Sequence, residues 1–228
     1  MKKYYLLLLP LLFFMRTVFA QEQNLIEKMS IKKNKLTIVA DRAFREAYLD
    51  EDFYVEYESD INLEVLDRSI VIMPFITQVL TLVWASGKTY YVESMDRKFY
   101  ESLPTIKQVF RVLYPHTNWG GELIPRTLVD NHMKMKHDPA THVALLYSGG
   151  LDSSTTSYYL GNKKQLLITA WGQWDLPLQD EKLWKNRKSK TELYASQKGY
   201  ECTFLKSNYV RFLRQKALRK ISPEIHHW

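Results

Sequence analysis

The chain has 228 residues, of which 46% are hydrophobic, and its formal net charge is +7. This length and apolar content suffice for one large domain or two small ones, and the sparse glycine and proline exclude disorder over most of the chain. The positive charge is compatible with a nucleotide or RNA partner but does not identify one. The single cysteine, Cys202, excludes an internal disulfide framework and a multi-cysteine zinc site.

The first twenty residues have the pattern of a secretory signal peptide. Two lysines precede an apolar run over residues 4–15, and residues 18–20 offer a site for signal peptidase. The run is too short for a stable membrane span, and Pro10 interrupts it. A start at Met29 is the alternative to export, because an ordinary cytosolic beginning follows it. Residues 1–20 are therefore set apart from the fold.

The first half of the chain predicts a small α/β domain over residues 30–133. Alternating or β-rich runs predict strands at residues 35–40, 53–57, 89–93 and 122–124. Helical spacing of apolar residues predicts helices at residues 75–86 and 96–113, the second with a break at Pro104. A polar stretch over residues 134–139 is interpreted as a linker.

The second half, residues 141–228, alternates between apolar runs and helical segments. Strands are predicted at residues 142–147, 165–171 and 201–205, and helices at residues 154–160, 180–198 and 209–220. This alternation predicts a doubly wound, Rossmann-like parallel sheet.

The turn between the first strand and helix of this region carries the clearest chemistry. It reads Ser148-Gly149-Gly150-Leu151-Asp152-Ser153. Two glycines let the backbone approach an oxyanion without a Cβ in the way, and the helix N-terminus favours negative charge. The alternative is an ordinary turn in which Asp152 or Ser153 caps the helix. The pattern lacks the lysine of a Walker A loop.

The six loop residues match the signature SGGxDS, and on this ground residues 141 to about 210 resemble the PP-loop ATP pyrophosphatase superfamily. More loosely, the whole chain resembles uncharacterised bacterial PP-loop proteins with an N-terminal α/β domain. The resemblance implies an adenine nucleotide α-hydrolase-like (HUP) fold. It also implies cleavage of ATP between the α- and β-phosphates and adenylation of a carbonyl or carboxylate oxygen, the acceptor being a small molecule or a peptide.

By the same resemblance, the phosphates of ATP would bind the loop and the first helical turn. The residues concerned are Ser148, Gly149, Gly150, Leu151, Asp152, Ser153 and Ser154. A carboxylate so near a polyanion fits a role of Asp152 in holding Mg²⁺ and in catalysis, or in orienting the loop. Asp175 is a second candidate for the metal, although an ordinary loop carboxylate explains it equally.

Two further segments follow the second and third strands of this region. Superfamily members often hold adenine at the end of the second strand, where Gly172 would admit the base and Trp171 or Trp174 would stack on it or belong to the core. After the third strand, Lys206 either stabilises charge on phosphate as a catalytic group or is a solvated lysine. Cys202 is expected to be a packed thiol.

The alternatives are a tRNA-modifying member of the superfamily and a truncated nucleotide-binding protein without catalysis. Catalytic domains of the superfamily normally continue with further strands, so the resemblance implies that this one is incomplete at its C-terminal end. A basic stretch over residues 182–220 would suit RNA, but the solvated face of two helices is the favoured interpretation. His226 and His227 are too few for a metal site. ATP-dependent chemistry favours the cytoplasm, against the signal-like start, and a homo-oligomer is compatible with the sequence.

Overall fold

The fold is that of a computed structural model, which describes residues 23–132 and 138–222. The signal-like segment, most of the expected linker and the two terminal histidines lie outside these residues. The strands are β1 (Gln23–Asn24), β2 (Ile26–Lys32), β3 (Lys35–Ala40), β4 (Phe53–Tyr57), β5 (Thr89–Asp96), β6 (Glu122–Val129), β7 (His142–Leu146), β8 (Lys164–Trp171) and β9 (Glu201–Ser207). The helices are α1 (Arg42–Tyr48), α2 (Arg68–Val71), α3 (Met73–Ala85), α4 (Arg97–Leu113), α5 (Leu151–Tyr159), α6 (Glu181–Lys198) and α7 (Gln215–Ile221).

The protein is a mixed α/β structure with two sheets. The smaller sheet has the order β1-β5-β6 and is entirely parallel. The larger sheet has six strands in the order β2-β3-β4-β9-β8-β7. Its first three strands form an antiparallel meander, and its last three are parallel, as the strand–helix alternation of the second half predicts.

The junction of the two halves of the larger sheet is the antiparallel pair β4–β9. The amide of Asn208 extends this pairing, because its Oδ1 accepts from Tyr54 N at 2.9 Å and its Nδ2 donates to Asp52 O at 2.7 Å. Ser207 Oγ donates to Tyr54 O at 2.6 Å. Both side chains are buried. The larger sheet therefore contains strands from both sides of the expected linker.

Helices α5 and α6 lie on the same face of the parallel strands. Gln165 of β8 points to this face, where its side chain bonds to both the hydroxyl and the carbonyl of Ser157 on α5. Ser157 Oγ in turn lies 3.1 Å from Tyr194 Oη of α6. Right-handed crossovers between parallel strands place both helices in this way.

The main hydrophobic core draws on both halves of the chain. It lies around β3, β4, α3 and β5, and it includes Phe212, Leu213 and Leu218 from the C-terminal segment. A smaller cluster, in which Tyr147 and Leu167 pack against α6, lies on the α6 side of the parallel strands. Within residues 23–132 and 138–222, no helix combines the length and hydropathy needed to cross a bilayer.

Two predicted helices differ from those in the structure. Helix α4 is continuous, so the expected break at Pro104 is wrong: Asp96 caps its first turn, and Leu103 and Phe110 pack on the core. Proline then removes only one internal hydrogen bond. The segment before α7 is a turn rather than helix, because Arg211 N and Phe212 N both donate to Asn208 O and Phe212 is buried in the core.

Candidate functional site

The loop after β7 has the backbone that its glycines predict. Gly149 has φ +74°, in the left-handed region, and Gly150 is an extended residue that precedes the first turn of α5. No side chain within the described residues caps this helix. The first N–H groups of α5 therefore have neither an intrahelical partner nor a side-chain partner, which is the arrangement that binds anions at helix N-termini.

Two serine hydroxyls hold the loop in shape. Ser148 Oγ lies 3.3 Å from Ser153 Oγ and accepts a hydrogen bond from Gly150 N at 3.3 Å. Ser153 Oγ donates to Gly150 O at 3.2 Å. These long bonds leave both hydroxyls able to turn toward a ligand. Leu151 and Asp152 are exposed at the start of α5, and Ser154 is half-buried.

A cavity of about 310 Å³ opens beside this loop. We call it the loop cavity. Its lining consists of Ser148, Gly149 and Gly150, with Tyr147 and Asp175 beside them, and of a wall formed by the middle of α6. The α6 residues in that wall are Arg187, Lys190 and Thr191. The site thus combines a helix N-terminus with two cationic side chains.

Arg187 joins α6 directly to the loop. Its Nη1 donates to the carbonyl of Ser148, and its Nη2 pairs with Asp175 Oδ2 at 3.1 Å. In the sequence, Arg187 and Lys190 stand out only as members of a basic stretch, and nothing there connects either residue with the loop. The signal that could have found them is their spacing, because residues three and four apart share one face of a helix.

A second cavity of about 450 Å³ adjoins the loop cavity on the opposite face of the sheet from α5 and α6. We call it the sheet-face cavity. Ile168 and Ala170 of β8 and Leu205 of β9 form its floor, and Thr77 and Gln78 of α3 form one side. Tyr147 and Ser148 line both cavities. An extended ligand could therefore have an apolar part in one cavity and a charged part in the other.

Close packing within the fold explains why residue 172 is a glycine. Its φ is +119°, and a Cβ at this position would lie 1.8 Å from the carbonyl oxygen of Ser207. The backbone at residue 172 therefore lies against the end of β9. Trp171 stacks on Trp184 with ring centroids 5.4 Å apart, whereas Trp174 is exposed. Of this segment, only Ala170 and Gln173 line the sheet-face cavity.

Lys206 lies apart from the loop cavity. Its Nζ is 4.5 Å from the ring centroid of Trp171, which is a cation–π contact. Cys202 is half-buried on the α6 side of the sheet. Burial raises the pKa of its thiol, and the carboxylates of Glu192 and Glu58 raise that pKa further. The thiol is therefore protonated at neutral pH, as a packed cysteine would be.

Metal-binding groups are sparse around the loop. Asp152 is exposed in the first turn of α5, and Asp175 is engaged with Arg187. Within the described residues, no three His, Cys, Asp or Glu side chains cluster as a metal site would require. A single carboxylate still fits Mg²⁺ that arrives with a nucleotide, since that ion is usually held by one or two carboxylates together with phosphate oxygens.

The chain was compared with protein-family models, with curated proteins and with solved structures, and none of the three comparisons finds a match. The features of the molecule that bear on its function are therefore the loop, the two cavities and the α6 wall.

Proposed function

We propose that the chain binds ATP at the loop cavity and adenylates a carbonyl or carboxylate oxygen. In this reaction the acceptor oxygen attacks the α-phosphorus and forms the new P–O bond. The bond from the α-phosphorus to the bridging oxygen breaks, and pyrophosphate leaves with that electron pair. A nucleophile then attacks the activated carbon and displaces AMP. The implied fold is the Rossmann-like sheet of PP-loop proteins.

The observation that carries the proposal is the uncapped N-terminus of α5, which directly follows a left-handed glycine in the lining of the loop cavity. Ser148, Gly149 and Gly150 line the loop cavity directly before the first turn of α5, and Arg187 and Lys190 add positive charge to the same lining. Phosphate oxygens are the ligands that such donors and charges favour. A plain strand-to-helix turn would need neither a left-handed glycine followed by an uncapped turn nor cations from another helix.

The adjoining sheet-face cavity supports a nucleotide rather than an inorganic anion. Its floor of Ile168, Ala170 and Leu205 is apolar, which suits the planar base and the sugar of a nucleoside. The two cavities meet at Ser148. The α-phosphate of a nucleotide spanning both would lie near this residue.

Asp152 is the residue best placed to hold Mg²⁺ that is bound to the phosphates. It is exposed at the first turn of α5, beside the loop. Bound Mg²⁺ would neutralise phosphate charge and stabilise the leaving pyrophosphate. The carboxylate of Asp152 would otherwise repel the polyphosphate, so the ion explains its presence at this position.

The test is the identity of the products formed from ATP with Mg²⁺ in the presence of a panel of carboxylate and amide acceptors. We expect pyrophosphate and AMP, and the Asp152→Ala variant should lose turnover. Glu181→Ala makes the same charge change in the first turn of α6 and should keep it. Formation of ADP and phosphate would refute adenylation. Binding of ATP without turnover would favour a non-catalytic nucleotide-binding protein.

A further inference from the structure

We propose that α6 supplies half of the phosphate site: Arg187, Lys190 and Thr191 recognise the pyrophosphate portion of a nucleoside triphosphate, and Asp175 holds Arg187 until the ligand displaces it. This inference rests on the proposed function, since it concerns the ligand of the same cavity. It adds the residues that select two or more linked phosphates over a single phosphate. These residues lie about forty positions beyond the loop in the sequence.

Thr191 gives the first indication, and it is independent of the loop. The residue is 1% exposed and lines the loop cavity. Its Oγ1 is buried and has no hydrogen-bond partner within the described residues. A buried hydroxyl without a partner is unfavourable, so such groups are rare unless a ligand or water satisfies them. Phosphate oxygens in the cavity would accept its hydrogen bond.

The two cations give the second indication. Lys190 lines the loop cavity and forms no ion pair within the described part of the chain. Arg187 has a side chain that is only 20% exposed and is directed at the loop by its bond to the Ser148 carbonyl. A guanidinium so placed can bind two oxygens of a phosphate in a fork. Two cations on one wall match a ligand with charge spread over two phosphates.

Asp175 occupies part of this recognition surface. Its Oδ2 lies 3.1 Å from Arg187 Nη2, and its side chain is 60% exposed. An exposed carboxylate is released readily, because ion pairs of this kind contribute little free energy. A polyphosphate that carries more charge and more acceptor oxygens would therefore replace Asp175 at the guanidinium. Asp175 would act as an internal competitor that lowers affinity for weakly charged anions.

The test is calorimetric titration of the full chain with inorganic phosphate, pyrophosphate and ATP. Wild type should bind pyrophosphate and ATP at least about tenfold more tightly than phosphate, since each added charge-assisted bond strengthens binding. Lys190→Gln should weaken pyrophosphate binding by about three- to tenfold. Lys185→Gln is the matched control, because Lys185 is exposed on the same helix and outside the cavity. The Lys185→Gln variant should bind pyrophosphate as tightly as wild type does.

Thr191→Val separates a ligand-binding role from a packing role. Valine keeps the shape and removes the unpaired hydroxyl, so the melting temperature of the free protein should stay constant or rise by about 2 °C. The affinity for pyrophosphate should nevertheless fall about two- to tenfold. Thr169→Val is the contrast: its buried hydroxyl already donates to Tyr147 O at 2.6 Å, so this variant should melt at a lower temperature.

Asp175→Asn tests the displacement step and should bind pyrophosphate about two- to fivefold more tightly than wild type. Unchanged or weaker binding by this variant would overturn that step. If wild type binds pyrophosphate and Gly149→Ala loses it, while the Lys190 and Thr191 variants bind as wild type does, the α6 wall is refuted and the proposed function stands. If wild type binds neither ATP nor pyrophosphate, both are refuted.

Discussion

At the scale of single residues, two glycines with positive φ serve different purposes. Gly149 has an open side, since a Cβ there would come no closer than 3.8 Å to another atom, and its φ alone requires glycine. Gly172 is required by the carbonyl oxygen of Ser207, which would lie 1.8 Å from any Cβ at that position. The sequence predicts that both are special. It does not separate a ligand site from close packing, because that difference depends on what the fold brings opposite each glycine.

The buried hydroxyl of Tyr90 should make the stability of the fold depend on pH. Tyr90 is buried beside Phe44, and burial raises the pKa of its hydroxyl from 10.0 to about 12. The folded protein thus resists deprotonation more than the unfolded chain does. Its contribution to stability is complete below about pH 10 and is lost as the pH rises toward about 12.

The measurement is the denaturant midpoint of wild type and of Tyr90→Phe between about pH 8 and 11. Because phenylalanine cannot ionise, the variant should lose less stability above about pH 10 than wild type does. Tyrosines and lysines that do not interact with Tyr90 affect both proteins equally. Midpoints that fall in parallel would show that Tyr90 does not contribute to the alkaline transition.

At the scale of elements, the sequence predicts regular segments well and long-range partners poorly. The runs at β3 and β4 have the predicted bounds, and the Gly199 end of α6 is a left-handed cap, as glycine favours. Strand β2 and helix α1 are absent from the sequence prediction. Strand β2 has no clear apolar pattern, because it is mostly polar and lies at the edge of the sheet, where it pairs with β3 alone. The pairing of β4 with β9 has no local signal at all.

We expect the stability of the junction between β4 and β9 to depend on Asn208. Asn208 is 1% exposed, and its amide satisfies two backbone groups, Tyr54 N in β4 and Asp52 O just before it. Asn208→Ala leaves both groups without their partner, so we expect the free energy of unfolding to fall by about 2–4 kcal/mol. Asn186→Ala, at an exposed position on α6, is the control and should change stability by less than about 0.5 kcal/mol. Equal losses would contradict the role given to this side chain.

At the scale of the whole molecule, the candidate site depends on both halves of the chain. The parallel strands that carry the loop are bonded through β9 to β4, and the C-terminal Phe212 and Leu218 are buried in the core formed mainly by the first half. The sequence divides the chain at residues 134–139 because that stretch is polar. Composition identifies a connection between segments, but it does not reveal whether a sheet continues across it.

We therefore predict that residues 138–228 do not fold alone. Separated from the first half, this fragment would expose Phe212 and Leu218 and leave one edge of β9 unpaired. Circular dichroism during urea denaturation should show no cooperative transition for the fragment and a single transition for the full chain. A cooperative transition in the fragment would establish it as an independent domain.

Phosphate binding by the loop at residues 148–153 is the step on which the proposed reaction depends. Its most direct test is calorimetric titration of ATP with Mg²⁺ into wild type, Gly149→Ala and Gly161→Ala. Both glycines have positive φ, at opposite ends of α5, so both variants carry similar backbone strain, on the order of 1 kcal/mol. We predict binding by wild type and Gly161→Ala and at least about tenfold weaker binding by Gly149→Ala. No binding by wild type, or equal affinity in all three proteins, would contradict phosphate binding by this loop.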